Sequence, residues 1–534
     1  MNSIWTQPLA PLHSLGLSAL AATIPLVVVL FLMGVVRKSS LVAGGSGLVA
    51  TAILAAAVWR MPPTLAGWSL VFGFATAAWS ILWLVFNAIW LYNLSVRAGS
   101  FDRLRRWIEQ HASGDPCVQA VLVAFCFGAL LEGCAGFGAP VAITAFLLVG
   151  VGFTPHKAVL VSLLSNTAPV AFGSVGVPIV ALASVTGLDV MKLAAAVGRQ
   201  LPLLSVLLPA YLALVVSGRD GLRRTWPVAL VAGVSFAGAQ FVVSNTWGPY
   251  VADVLSALAS IAATTTLLRF WSPRNAPTTA TPSDVVAPAL SRREIIDGVI
   301  PWLLLSIVII VWSRAKLFSA GQVAIPIPSL NNGVVIALYQ RPYAAVFTFQ
   351  PLVSGTAVLV STIFTALWFR LSPRTVLASG METLRQLRLP ALAVLCIVGM
   401  AYLYNYSGMV YTLGAALAGT GVLFPVVSSY LGWVACFLTG SDTSSNFLFG
   451  NLQVATAQQL HLNPILTAAT NSSGAVAGKM ISPQNIAIGV STVGLVGQEG
   501  EVLRSTFWHS IVFATFIGVI AWVQAYVLPG MVPQ

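Results

Sequence analysis

The sequence predicts an all-α polytopic membrane protein of about twelve to fourteen transmembrane helices and half-helices, arranged as an inverted repeat with re-entrant broken helices. Three observations carry that expectation. Of 534 residues, 57% are hydrophobic and only 7% charged, where a soluble domain carries roughly a quarter, and the mean hydropathy is +0.89. Apolar runs long enough to cross a hydrocarbon core of ~30 Å recur along the chain. Twice, such a stretch is broken by an acid set among glycines, serines and asparagines.

Taken in order, spanning runs fall at 15–36, 40–59, 66–93, 190–217, 226–245, 247–268, 296–314, 350–369, 389–406 and 504–528. The first lacks a basic leader and a cleavage site, so it reads as a retained helix and not a signal peptide. The segment 101–111 is amphipathic and suits the inner surface of the membrane. Regions 117–186 and 423–497 are apolar but repeatedly interrupted by Gly, Pro, Asn and Ser. The connector 270–294, rich in Pro, Thr and Ser, reads as a flexible cytoplasmic linker. It divides an N-terminal membrane half, 1–269, with block 117–186, from a C-terminal half, 295–534, with block 423–497.

Lysine and arginine set the orientation. Clusters at 37–38, 97–106, 219–224, 269–293 and 370–388 alternate with the spans if all are cytoplasmic, and both termini then face outward. The loop 315–349 falls outside, although Arg314, Lys316 and Arg341 fit that side less well. The net charge of +12 therefore reports orientation and not a nucleic-acid partner. Five cysteines and five histidines lie scattered, with no CxxC, HExxH or other metal spacing. That pattern speaks against a metal site, a cofactor or an intramembrane hydrolase.

The interrupted regions resemble one another. Asn166, Gly173 and Pro178 recur as Asn471, Gly478 and Pro483, each 305 residues further on. The acidic breaks align 310 residues apart, Cys126 with Cys436, Phe127 with Phe437, Glu132 with Asp442 and Phe137 with Phe447. On the orientation above, one block is entered from the cytoplasm and the other from outside. Paired broken helices in an inverted repeat point to the binding site of a secondary transporter.

A carboxylate at the centre of a membrane helix costs on the order of 2.5–3.5 kcal/mol even on the lenient insertion scale. Glu132 and Asp442 are the two acids deep in broken segments; the other twelve of the fourteen fall in loops or near span ends, Asp253 least clearly so. Low dielectric favours the protonated carboxyl, which makes each a proton-coupling candidate. Permanent pairing with a hydrogen-bond network or a cation is the other reading.

The run Gly133, Gly136, Gly138, Pro140 cannot hold a regular helix. Its freed N–H groups and the positive ends of half-helices suit an anion. Ser165, Asn166 and Thr167, with Thr470, Asn471, Ser472 and Ser473, offer hydroxyls and amides for a carboxylate, and Ser441, Ser444 and Asn446 at the second break join them. Close helix packing uses the same small residues, but two paired stretches, each beside an acid, favour a site. Lys479 reads as counter-charge for a substrate carboxylate, as partner of Asp442, or as a snorkelling side chain. Arg199, near a span end, is a second candidate cation. Tyr402, Tyr404 and Tyr406 read as an interfacial aromatic cluster.

The stretches 131–143, 165–173, 438–446, 449–453 and 478–487 resemble the signature blocks of the bacterial L-lactate permease family, whose members also take glycolate. The likeness in length and hydropathy runs over the whole chain, with Cys134 where alanine is commoner. The resemblance implies symport of a small 2-hydroxymonocarboxylate with a proton across the bacterial inner membrane, with H+ as coupling ion and no other cofactor; the lysine and arginine distribution then makes both termini periplasmic. It further implies kinship with a superfamily that includes divalent-anion/sodium symporters, whose paired Ser-Asn-Thr motifs bind carboxylate at hairpin tips and whose movement is elevator-like. Ser165-Asn166-Thr167 and Thr470-Asn471-Ser472 match that motif. A sodium-coupled di- or monocarboxylate transporter of the same architecture is the alternative.

Overall fold

Ten helical segments are long and apolar enough to cross a bilayer among the described residues of a computed structural model, which are 4–111, 114–136, 138–273, 290–337 and 340–533. They are Leu15–Met33, Ser40–Ala57, Pro63–Arg97, Pro116–Cys134, Val190–Thr246, Ala252–Phe270, Arg292–Arg314, Pro373–Ser407, Met409–Thr439 and Glu499–Tyr526. The pair Pro155–Ser165 and Val170–Thr186, bent by 65°, forms an eleventh, broken span. The protein is thus an all-α multi-pass membrane protein.

Several boundaries depart from the sequence reading for identifiable reasons. The runs at 190–217 and 226–245 are two arms of one helical stretch, broken where Gly218 takes a φ of +65°. The basic segment 370–388, expected as a loop, is instead helical from Pro373 onward, as the start of helix Pro373–Ser407. Nothing in it breaks a helix, and its polar residues have partners: Asn93 donates to Thr383 and Gln386, and Arg97 pairs with Glu382. The loop 315–349 contains short strands. Val323–Pro326 pairs antiparallel with Val346–Phe349, and Val334–Ile336 pairs parallel with Trp5–Thr6 and antiparallel with Arg341–Pro342. Strands this short need a platform to persist; Gln7 provides an anchor by donating to the carbonyls of Asn405 and Tyr406. The amphipathic helix Ser100–His111 is present and packs on Arg292–Arg314, with Ser100 donating to the Gly298 carbonyl. The central part of the expected linker, 274–289, lies outside the described residues.

Helices from the two halves interleave. Leu15–Gly34 lies against Met409–Leu417, Ser40–Ala57 and Pro63–Thr76 against Pro373–Ser407, and Trp83–Arg97 against Ser354–Trp368. Inside this frame sit the two interrupted blocks, which share one plan. The first runs Pro116–Cys134, break, Ala139–Gly150, Pro155–Ser165, break, Gly173–Thr186. The second runs Phe424–Thr439, break, Asp442–Gln459, Pro464–Lys479, break, Pro483–Thr492. The restarts carry ordinary helix-start chemistry: Ser441 and Ser482 cap with their hydroxyls, and Pro140 and Pro483 stand in the first turn. Pro116–Cys134 is wholly buried. It has no lipid face, and wider π-type turns run through residues 120–127, an irregularity that often accompanies a functional site.

Candidate functional site

The breaks of both blocks meet around one small cavity of about 70 Å³. The first break needs glycine. Gly136 has a φ of +57°, and a Cβ there would collide with Ser174 Oγ. Ser174 in turn donates to the Ala135 carbonyl at 2.9 Å, tying the two breaks of the first block together. Gly173 leaves room for an acid: a Cβ on it would stand 2.6 Å from Glu132 Oε1. Ser174 and Val175 both hold left-handed backbone, at φ +47° and +59°. For a β-branched residue such as Val175 this is a strained state, of the kind found where surrounding structure enforces it.

Glu132 is almost fully buried, yet both its oxygens have partners. Oε1 accepts from Lys479 Nζ at 2.7 Å and Oε2 from Asn166 Nδ2 at 2.9 Å. Lys479 ends helix Pro464–Lys479, where the negative end of the helix dipole favours a cation. Buried with it, Lys479 does not snorkel, and its bonded partner is Glu132 from the other half of the chain. Asp442 instead accepts from Ser472 Oγ at 2.7 Å through Oδ2, while its Oδ1 has no partner.

Behind Ser472 runs a buried amide ladder. Asn446 donates to Ser472 Oγ and to the Pro178 carbonyl, Asn471 donates to Asn446 Oδ1 and Ser445 Oγ, and Gln453 donates to Asn471 Oδ1. The ladder holds Ser472, and through it Asp442, in register with the second half-helix of the other block.

The structure sorts the residues expected at the site. Glu132, Asp442, Ser441 and Lys479 line the cavity. Asn166 and Ser472 touch the two acids, and Asn446 and Asn471 support Ser472. Gly136 and Gly138 shape the first break, Gly138 with a φ of +85° at the start of Ala139–Gly150. Ser441 caps the second restart by accepting from the Ser444 N–H. Ser165 is spent on the Ser162 carbonyl. Thr167 and Ser473 are buried with hydroxyls lacking a partner; neither lines the cavity. Arg199 is occupied elsewhere, donating to Asn245 Oδ1 and the Met531 carbonyl. The aromatic cluster is not interfacial: Tyr402, Tyr404 and Tyr406 are buried and donate to the carbonyls of Ser184, Ala22 and Ala344. The N-terminal segment and the stranded loop fold over that end of their helix, which removes it from the interface.

The two acids are not equivalent positions. Glu132 lies in the last turn before its break, and Asp442 is the first residue after its own. A single spacing of 305 residues superposes the breaks and the restarting prolines Pro178 and Pro483, and sets Glu132 against Phe437. The 310-residue match of the acids reflects shared composition five residues out of structural register.

Other residues at the site were not singled out from sequence. Asn485 closes the second break by donating to the Gly440 carbonyl and to Ser482 Oγ, and it lines the cavity with Gln484 and Thr443. Its signal was an amide pair directly after a helix-starting proline. A larger cavity, about 830 Å³, opens under the stranded loop, lined among others by Tyr250, Tyr343, Tyr402, Asn405 and Tyr406. Helix Gly173–Thr186 lines both spaces, Val177 and Pro178 facing the small one and Val180 and Ser184 the large one.

Chemically, the small cavity presents a lysine ammonium, two carboxyl groups and helix N-termini to a molecule of a few non-hydrogen atoms. Comparison with known proteins places the chain in a family. The family model described as L-lactate permease matches residues 18–528. The chain is 42% identical to the glycolate permease GlcA of Escherichia coli K12, with 99% of each chain covered. It is 40% identical to the L-lactate permease of Bacillus subtilis 168, covering 99% of this chain and all of that one (100%). Among solved structures, Neisseria gonorrhoeae MtrF shares the fold at a TM-score of 0.51, with 13% identity over 93% of this chain and 97% of that chain. With a family match over nearly its whole length and relatives of this identity, the chain belongs to the L-lactate permease family, a family of transporters and not of enzymes.

Proposed function

We propose that this protein is a proton-coupled symporter of L-lactate and related short 2-hydroxymonocarboxylates, glycolate among them, in the bacterial inner membrane. The observation that carries the reading is the buried Lys479–Glu132 ion pair, which joins the two blocks at the small cavity. A substrate carboxylate entering there competes with Glu132 for Lys479. Glu132, left without its counter-ion in a medium of low dielectric, takes a proton. Substrate and proton thereby enter as a neutral set. Asp442, with one oxygen unpartnered beside Ser472, accepts the substrate hydroxyl or tunes the proton. The cavity volume suits a monocarboxylate better than a dicarboxylate, whose second charge would meet Asp442 and not a second cation.

The distribution of lysine and arginine supports periplasmic termini, and the shared plan of the two blocks supports an inverted repeat that moves as a carrier body. The test is uptake into proteoliposomes. An acid-outside gradient should drive lactate accumulation, with glycolate competing and succinate failing to compete. Accumulation that follows sodium and ignores pH would sink the coupling and favour the sodium-driven alternative.

A further inference from the structure

A third carboxyl lies against the site. Asp253 stands in the first turn of helix Ala252–Phe270 and is 1% exposed. Neither of its oxygens accepts a hydrogen bond among the described residues. Gly133, the residue after Glu132, packs directly onto it: a Cβ on Gly133 would lie 2.8 Å from Asp253 Cβ. The three acids thus form a series. Glu132 has a cation and an amide, Asp442 has one hydroxyl, and Asp253 has none of these.

The groups that face Asp253 come from the helices packed around it. Helix Gly128–Cys134 presents Glu132 and Cys134, and helix Pro464–Lys479 presents Lys479, already bonded to Glu132. Helix Val190–Thr246 presents the neutral Gln240, which donates to the Ala168 carbonyl and accepts from Ser205. Helix Gly173–Thr186 approaches through Gly176, seated on Pro249. An ionised carboxylate in this setting would have no counter-ion of its own, only the Gln240 amide facing it and Lys479 shared with Glu132, and a second negative charge nearby. A buried charge without pairing of its own is costly.

Building on the symport reading above, we propose that Asp253 is the proton store of the transport site. It holds a proton in the state described and passes it to Glu132 when Lys479 turns to the substrate carboxylate. The O–H bond on Asp253 breaks as one forms on Glu132, and Asp253 is then reprotonated from water on the side of uptake. Gly133 lets helix Gly128–Cys134 seat directly on Asp253, an approach that a larger residue would prevent.

The variant Asp253→Asn keeps the shape and the neutral charge of the protonated acid but has no proton to give. In proteoliposomes it should lose acid-driven lactate accumulation by about tenfold or more, with lactate–lactate exchange falling alongside, whereas Asp253→Glu, which again has a proton to give, should return accumulation to within about threefold of the parent. Infrared spectra of the resting parent protein should contain a protonated-carboxyl stretching band, shifted in heavy water and missing from Asp253→Asn. Parental accumulation by the variant would overturn the proposal and leave symport standing. No recovery of accumulation in Asp253→Glu, or no such band, would also overturn it. A parent protein that ignores the acid gradient would remove the symport reading itself.

Discussion

At the residue scale, the weight falls on two charges removed from water together. Burying an ion pair brings little net stability, but removing one partner leaves the other bare, at a cost of about 3–5 kcal/mol. Lys479→Met should therefore lower the thermal unfolding midpoint in detergent, and Glu132→Gln should do so less, because Asn166 can still donate to the remaining amide oxygen. The double variant Glu132→Gln/Lys479→Met should recover most of the stability and none of the uphill transport, which separates folding from function in one pair of measurements. Glu132, Asp442 and Lys479 were legible in the sequence because a charge among apolar residues is conspicuous. Their pairing was not. Lys479 bonds an acid 347 positions away in preference to Asp442, which is far nearer along the chain, and no local pattern reports such a choice. Asp253 reads only as an acid near a span end for a related reason: it sits at a helix start, where an acid is ordinary.

At the element scale, the breaks depend on a few backbone positions that tolerate no alternative residue. Gly136→Ala would face a left-handed φ, costing roughly 1–2 kcal/mol for a residue with a Cβ, and in addition a clash with Ser174. The variant should unfold at lower temperature and transport more slowly. Gly136→Ala/Ser174→Gly should regain only the part of the loss that comes from the clash, as read by thermal unfolding of the pair. Glycine and proline had already marked the broken helices in the sequence, and prolines 178 and 483 gave the correct spacing of the repeat. Two elements stayed hidden. Helix Pro373–Ser407 begins in residues whose charges resemble a loop, and its continuity depends on partners such as Asn93 and Glu382 that only packing supplies. The strands of 315–349 are too short to leave a periodic pattern.

At the scale of the whole molecule, the interleaving of helices means that neither half covers its own apolar faces. Severing the chain within 274–289 should leave the segment 1–273 unstable when expressed alone. Expressed together, the two segments should copurify and transport; recovery of a folded, monodisperse 1–273 by itself would contradict this. The polar connector shows in the sequence as a change in composition, whereas the interleaving leaves no such trace, since composition says nothing about which helix faces which. The ion pair across the two blocks has one more consequence, an electrical one. On the proposed cycle the site crosses the membrane with its charges matched, Lys479 by Glu132 when empty and by the substrate anion when loaded, with Glu132 then neutral. Neither crossing carries current. Membrane voltage therefore has no purchase on the carrier, and each unit of pH difference supports about a tenfold concentration ratio of the anion.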